Sequence, residues 1–430
     1  MYSLPSDRAT VWKPGVTYNG GIPSPAWPVV KKITCTNTTA DLVTVQNTIN
    51  SSHLSNPTGA VVQLTSGTCN FNSGFVLIPS YTVLRGAGAG ATIIAVTNGS
   101  KPANNAPGAH NDPAIIVGPA RYLTSQAGSS NTGTSQSTLL TADVNFGDMS
   151  AQVTSAAGFH VGDFVLLDET SGASWQPDRA GTATSILAAS DYRVTYQVHN
   201  PAYQYVDDPV AYPTTPTAAN NFAGAGNGSD AASWFSRQDR MTSEIKQIAS
   251  CGATSPGAPC SSTTIVFTTP AHISYRSGNI HYAELTSYSS AFVINGGVEN
   301  LTVTGTDDDA IDVQWCARCW LKNVEVTQWL GHGVGFYNAF GSELRDSYVH
   351  DANWPVPGGG GYAIAVSTGS SEILVENSIS IRANKVMVAQ SGGAGSVIAY
   401  NYFDEGMVGS AASEEPGFQG WVEVGVNGSH

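Results

Sequence analysis

Short runs rich in β-branched and apolar residues alternate with polar turns along this chain, and over residues 298–427 the alternation repeats. Five segments align: Val298-Glu-Asn-Leu-Thr-Val303, Leu321-Lys-Asn-Val-Glu-Val326, Leu344-Arg-Asp-Ser-Tyr-Val349, Val375-Glu-Asn-Ser-Ile379 and Ala399-Tyr-Asn-Tyr-Phe403. Each holds Asn or Asp at one place, Asn300, Asn323, Asp346, Asn377 and Asn401, in steps of 23, 23, 31 and 24 residues. The long step contains Trp354-Pro-Val-Pro-Gly-Gly-Gly-Gly361, which reads as a loop dropped into one repeat. Between the five lies a second series: Ala310-Ile-Asp-Val313, Val334-Gly-Phe336, Tyr362-Ala-Ile-Ala-Val366, Lys385-Val-Met-Val-Ala389 and Trp421-Val-Glu-Val424. A period in the twenties with short strand-like runs is the mark of a solenoid. Two or three strands per turn cannot bury a face alone, but stacked rungs share one continuous core. The pattern predicts an all-β fold, a parallel β-helix.

The same reading divides the chain into three parts. Residues 1–123 hold a loop-rich start to about Ile33, a short helix over Asp41–Asn50 that breaks at Ser51-Ser52, and first rungs at Val61–Leu64, Phe75–Ile78, Tyr81–Leu84 and Thr92–Val96. The helix, with Leu42, Val43, Val45 and Ile49 at roughly helical spacing, is expected to cap the open end of the solenoid. Gly86-Ala-Gly-Ala-Gly-Ala91 matches a loose dinucleotide fingerprint, but the next run is a strand rather than a helix, so a tight turn is expected. Across residues 124–288 the repeat disappears. Val161–Asp168 and Thr263–Thr268 read as strands of an inserted β/loop module, with Trp175, Tyr203, Tyr205, Tyr212, Phe222, Trp234 and Phe235 between them. Those aromatics either stack on sugar rings or pack the insertion onto the solenoid, and the module is expected beside the column of loops that follow the Asn-bearing strands. Residues 289–430 carry the main rungs. The pattern is still running at His430, so a truncated or unusually capped end is expected.

Composition narrows the function classes. Charged residues are only 12% of the chain and the net charge is −14, with no basic cluster longer than Lys31-Lys32. Nucleic acid is therefore excluded as an expected partner, since phosphate binding needs a basic footprint. No apolar run approaches the roughly 20 residues of a membrane span, so no membrane partner is expected. Cys35, Cys69, Cys251, Cys260, Cys316 and Cys319 make an even set, which suits disulfides and a secreted protein. Cys251 and Cys260 flank a turn-rich stretch and are expected to be bridged. Cys316-Ala-Arg-Cys319 sits in a turn without the helix that would make it a redox pair. Met1-Tyr-Ser-Leu-Pro has neither the charged start nor the apolar core of a signal peptide, so a mature extracellular form is expected.

The repeat also shows where chemistry gathers. The connections after the Asn-bearing strands are Gly305–Asp309, Thr327–His332, His350–Gly361, Ile381–Asn384 and the stretch from Asp404 to Gly420. Nearly all carboxylates, histidines and long insertions fall in this one column, while the opposite connections are plain. Asp309 and His332 are 23 residues apart, as are Gln328 and Asp351, so each pair should stack at about 5 Å along the backbone. Asp307-Asp308-Asp309 crowds like charges and should raise at least one carboxyl pKa unless a cation intervenes. Asp312 points outward if Ile311 and Val313 point in.

Two stretches carry a resemblance. Ile78-Pro-Ser-Tyr-Thr-Val-Leu-Arg-Gly-Ala-Gly88 with Thr92-Ile-Ile94 resembles the opening rungs of the pectin-lyase-like superfamily, and so does the Asn-bearing repeat. The resemblance implies a right-handed parallel β-helix and, usually, action on polysaccharide. Asp308-Asp309 followed by Gly331-His-Gly333 is similar to the paired-Asp and Gly-His-Gly motifs of the polygalacturonase family. That family's Asn-Thr-Asp and Arg-Ile-Lys motifs have no counterpart here, which leaves neutral sugars open.

These readings converge on a secreted glycoside hydrolase of inverting type acting on a polysaccharide substrate. Asp308 and Asp309 would supply acid and base. His332 and Asp351 would position water and sugar. Asp307, Asp312, Gln328, His350 and Arg382 would bind substrate, with Trp329 and Trp354 stacking on rings. No cofactor is required, though calcium is possible in the alternative reading, a polysaccharide lyase with the Asp run as calcium ligands and Arg382 or Lys385 as base. A non-catalytic binding module or adhesin is the third class. The plainest alternative makes Asp307 to Asp309 a turn that caps backbone amides and His332 a filler.

Overall fold

The structure, a computed structural model, describes residues 13–72, 74–96, 113–119, 136–169, 242–278, 283–287, 292–306, 309–353, 361–389, 392–406 and 422–424. Its main body is a parallel solenoid. Strands Gly297–Thr304 and Trp320–Thr327 pair residue for residue at an offset of 23, and the same stacking continues through Glu343–Arg345, Leu374–Glu376 and Val397–Ala399. A second parallel sheet stacks Val76–Ile78, Ile115–Val117, Ile311–Gln314, His332–Tyr337, Tyr362–Ser367, Met387–Ala389 and Val422–Val424. Between the sheets lies one core that includes Val298, Leu301, Ile311, Val313, Leu321, Val334, Phe336 and Ile364.

Each rung turns its corners with single left-handed residues. Asn300, Asn323, Asp346 and Asn377 have φ between 50° and 56° and stack in the sheet register. Asn323 Nδ2 donates to Asn300 Oδ1 and Asn377 Nδ2 to Asp346 Oδ1, each at 2.8 Å. Asn and Asp tolerate this conformation because their short polar side chains bond locally. Asn401 does not belong to this ladder. The register places Ala399 over Glu376 and Tyr402 over Ile379, so Tyr400, with φ 56°, occupies the corner instead. Asn401 falls one place on, in a second ladder. There Ser347 Oγ accepts from Val324 N, Ser378 Oγ from Ser347 N, and Asn401 Oδ1 from Ser378 N. Gln328, Asp351, Arg382 and Glu405 form another left-handed column at the next corner, with φ from 49° to 59°.

The N-terminal helix runs from Ala40 to Ser55, past the serines expected to break it. Its hydroxyls bond back to the preceding turn, Ser51 Oγ to Thr48 O and Ser55 Oγ to Ser51 O, so they cap carbonyls rather than end the helix. Val45 and Ile49 enter the solenoid core, whereas Val43 faces solvent. The Gly86-containing turn is forced by packing: a Cβ there would lie 2.1 Å from the Asn300 carbonyl oxygen. All six cysteines are paired, Cys35–Cys69, Cys251–Cys260 and Cys316–Cys319.

An antiparallel sheet of six strands is built from Gln136–Leu139, Ser150–Gln152, Phe164–Glu169, Thr242–Ser250, Thr264–Phe267 and Glu284–Ser287. Only two of these strands were legible in the sequence. One face encloses a core of Val165, Leu167, Ile248, Phe267 and Leu285. The other presents Phe164, Leu166 and Ile245 to Trp315, Ala317 and Phe340 of the solenoid. Phe164 stacks on Phe292 at 4.7 Å. Docking therefore falls at Trp315, at the end of strand Ile311–Gln314 away from Asp309. The described part of the module is not beside the loop column. The aromatics Trp175, Tyr203, Tyr205, Tyr212, Phe222, Trp234 and Phe235 lie outside the described residues.

A buried charge cluster joins the two bodies. Lys246 Nζ lies 2.7 Å from Glu244 Oε2 and 3.5 Å from Glu372 Oε1, with all three side chains essentially inaccessible. Thr269 Oγ1 donates to the same Glu372 oxygen, and His272 Nε2 lies 3.3 Å from it.

Candidate functional site

The loop column resolves into two separate clusters. The first begins where the chain enters the second sheet at Asp309. In parallel pairing the residue one rung on is His332, and its backbone N–H donates to Asp309 Oδ1 at 2.5 Å. His332 Nδ1 faces the same oxygen at 2.8 Å, the Tyr337 hydroxyl donates to Oδ2 at 2.8 Å, and that hydroxyl lies 2.9 Å from His332 Nδ1. Asp309 is 7% exposed. Burial pushes its carboxyl up, but the His332 imidazole and the three hydrogen bonds outweigh burial and hold it at about 2. Asp309 is thus a fixed carboxylate. It is buried and accepts the His332 backbone N–H, the amide-capping role that the plainest reading of the Asp run gave it.

Tyr337 was missed by the sequence reading. On strand His332–Tyr337, Val334 and Phe336 point into the core, so Gly335 and Tyr337 face outward. The Tyr337 ring folds back over Gly335: a Cβ there would sit 2.3 Å from its Cε2 and 2.7 Å from its hydroxyl oxygen. A glycine inside a strand marks close approach of another group, and that was the available signal. Gly335→Ala is expected to expel the ring and break the Asp309–His332–Tyr337 triangle. The core beneath should survive, so activity should fall at least tenfold while the cooperative unfolding transition remains. Turnover and thermal melting on this single variant check it.

Asp312 lies on the same outward face, paired in register with Gly335, and is buried at 5% exposure. Tyr362 follows His332 one rung on, its ring 5.2 Å from the imidazole, with Lys385 Nζ 5.0 Å from the centroid of that tyrosine ring. Trp329 is not a sugar platform. It is fully buried in the solenoid core, with Nε1 donating to Tyr362 O at 2.7 Å. Gln328 is a corner residue whose backbone N–H donates to Asp351 O at 2.9 Å. Asp307, Asp308 and Trp354 lie outside the described residues.

The second cluster gathers Asp351, Arg382 and His350 on the other sheet. Arg382 Nη2 reaches Asp351 Oδ2 at 2.9 Å, Nε bonds Oδ1, and Nη1 reaches Glu405 Oε2 at 3.1 Å. His350 Nδ1 lies 2.6 Å from Asp351 and its Nε2 3.2 Å from Glu325. The Arg382 hydrogen bonds, partly opposed by burial, hold Asp351 at about 2. Asp351 in turn keeps the guanidinium above its already high value. Asp351 does not join Asp309. Among the described residues no group of three or more His, Cys, Asp and Glu is placed to hold a metal, and no helix is long and apolar enough to cross a membrane.

Residues 288–424 match the family described as right handed beta helix region. The chain is a right-handed parallel β-helix. This agrees with the pectin-lyase-like resemblance of its rungs. No curated protein matches it. Among solved structures, this β-helix is similar to the tailspike gp61 of Pseudomonas phage phi297, at 12% identity and TM-score 0.49, over 85% of this chain and 45% of that one. The tailspike gp49 of Pseudomonas phage LKA1 gives 13% identity and TM-score 0.49 over the same shares. The Gp54 tailspike of Acinetobacter baumannii bacteriophage AP22, solved with a capsular saccharide, gives 10% identity and TM-score 0.29 over 83% of this chain and 55% of that one. The chain spans less than half the length of both Pseudomonas phage tailspikes. Likenesses at this level carry no argument about chemistry, which rests on the side chains.

Proposed function

We propose that this β-helix is an extracellular polysaccharide-cleaving enzyme, a glycoside hydrolase whose reacting groups lie around Asp309. The observation that supports it is the Asp309–His332–Tyr337 triangle, a carboxylate and an imidazole locked together at 2.8 Å. With Nδ1–H directed at Asp309, His332 Nε2 becomes the lone-pair nitrogen, suited to take a proton from an attacking water. Asp308, the preceding residue in sequence, would be the acid for the leaving oxygen, as its resemblance to a paired-Asp motif implies. An acid and a base acting on opposite sides of the bond would give inversion. The three disulfides agree with an oxidising, extracellular setting.

A lyase is the second reading, favoured by one feature: imidazole and phenol stand 2.9 Å apart, two proton-transfer groups of the kind that α-proton abstraction needs. Digestion of a panel of neutral and acidic polysaccharides separates the two. New reducing ends without ultraviolet absorbance, formed with anomeric inversion, are expected. An unsaturated, absorbing product that requires calcium would establish the lyase instead, and no cleavage of any polymer would refute both.

A further inference from the structure

A different face of the solenoid carries an open groove of about 470 Å³. It is lined by Asp346, Tyr348, Asn377, Ile379, Tyr400 and Tyr402, at the corner and strand next to the Asn ladder rather than at the sheet that begins with Asp309. The register explains its construction. Tyr348, Ile379 and Tyr402 stack on successive rungs on one outward row. At the corner, Asp346 and Asn377 are followed by Tyr400, an aromatic residue in the left-handed position that the preceding rungs give to Asn or Asp. A bulky residue in that conformation is strained, and such outliers are reasons to look for function. Tyr400 is 87%, Tyr402 57% and Ile379 43% exposed, so among the described residues nothing packs over them.

The chemistry of the lining selects a ligand. Exposed tyrosines offer rigid, amphipathic rings at low entropic cost, while Asp346, Asn377 and the Tyr402–Asp404 hydroxyl–carboxylate pair at 2.6 Å offer hydrogen-bonding atoms beside them. The cations at the border are engaged: Arg345 by Asp346 and Glu376, Arg382 by Asp351 and Glu405. With Asp404 added, carboxylates outnumber guanidiniums around the groove, which disfavours a polyanion. Stacking rings with neutral and anionic acceptors suit hydroxyl-rich sugars. We propose that this groove binds a neutral polysaccharide chain, on a face other than that of Asp309 and independently of the reaction proposed there.

Affinity gel electrophoresis tests it with galactomannan, xyloglucan and hydroxyethyl cellulose as neutral probes and polygalacturonate as the acidic one. The parent protein is His332→Ala, so that no probe is degraded during the run. At least one neutral polymer should retard it, and polygalacturonate should not. Adding Tyr400→Ala and Tyr402→Ala should weaken that retardation at least tenfold at an unchanged melting temperature. In the otherwise native protein the same pair should leave kcat on a short soluble substrate unaltered, which separates failure of the groove from failure of the hydrolase reading. The proposal is overturned if no neutral probe retards the protein, if the tyrosine variant is retarded like its parent, or if polygalacturonate retards equally. It is also overturned if the parent elutes as a dimer that the tyrosine variant splits, since a second copy would then be the occupant.

Discussion

His332→Ala should cut turnover by about 10²–10⁴, the range for losing a positioned proton-transfer group. The variant also removes one hydrogen bond to the buried Asp309 carboxylate, so a stability loss of about 1.5–3 kcal/mol is expected beside the kinetic one. Asp309→Asn should match the kinetic loss and cost more stability. Asp309 accepts from two groups of His332 and from Tyr337 while almost fully buried. Hydrogen bonds to a charged group are each worth about 1.5–3 kcal/mol, and an amide cannot accept them all. The pH dependence identifies the carboxylate. Its pKa is lowered from 3.8 to about 2, so ionised Asp309 stabilises the fold fully above the unfolded value. That contribution, about 2 kcal/mol, is lost as pH falls from near 4 through 2. The gap in melting temperature between native protein and Asp309→Asn should therefore be widest near neutrality and close toward pH 2. Full turnover in both variants would remove the reaction from this site, and a gap that widens in acid would contradict the assigned ionisation.

The largest stability effect is expected elsewhere, at the seam between module and solenoid. Lys246→Met leaves Glu244 and Glu372 buried without their shared cation. Breaking a buried ion pair from one side costs about 3–5 kcal/mol, because the remaining charge cannot be solvated. Glu372 keeps His272 and Thr269, which favour its ionised form against burial, so protonation offers only partial relief near neutral pH. Urea unfolding at pH 7 measures the loss. Adding Glu244→Gln and Glu372→Gln should recover part of it, since the stranded charges are then gone. A loss under about 1 kcal/mol in Lys246→Met would mean that the charges are solvated and that the module does not dock through them.

How far the sequence carried the fold depends on which features are local. The 23-residue period, the in-and-out alternation and the corner Asn residues are each set by a few consecutive positions, so the parallel β-helix was legible. Parallel stacking turns that period directly into contact, which is why Asp309 and His332 meet as their spacing implied. The same logic failed at the corners. A left-handed residue resets the alternation of side chains, so Trp329, just after Gln328, turns into the core instead of toward a sugar. Asn401 carried the right residue type but stands one place out of register, with Tyr400 in its slot. Asp351 and Arg382 follow the period faithfully, yet their corner aims them at each other.

Three things were decided only in three dimensions. The absence of a side chain at Gly335 admits the Tyr337 ring and completes the triangle, a dependence between positions that no single-residue preference encodes. The choice of Trp315, Ala317 and Phe340 as the docking face follows from which outward apolar residues several rungs bring together, and one rung alone does not show it. The neutralisation of Lys246 joins residues more than a hundred positions apart. The sequence alone determined the repeating unit, because backbone pairing and burial act within one turn of the solenoid. The tertiary structure decided which side chains share a site, because that depends on packing between turns and between bodies.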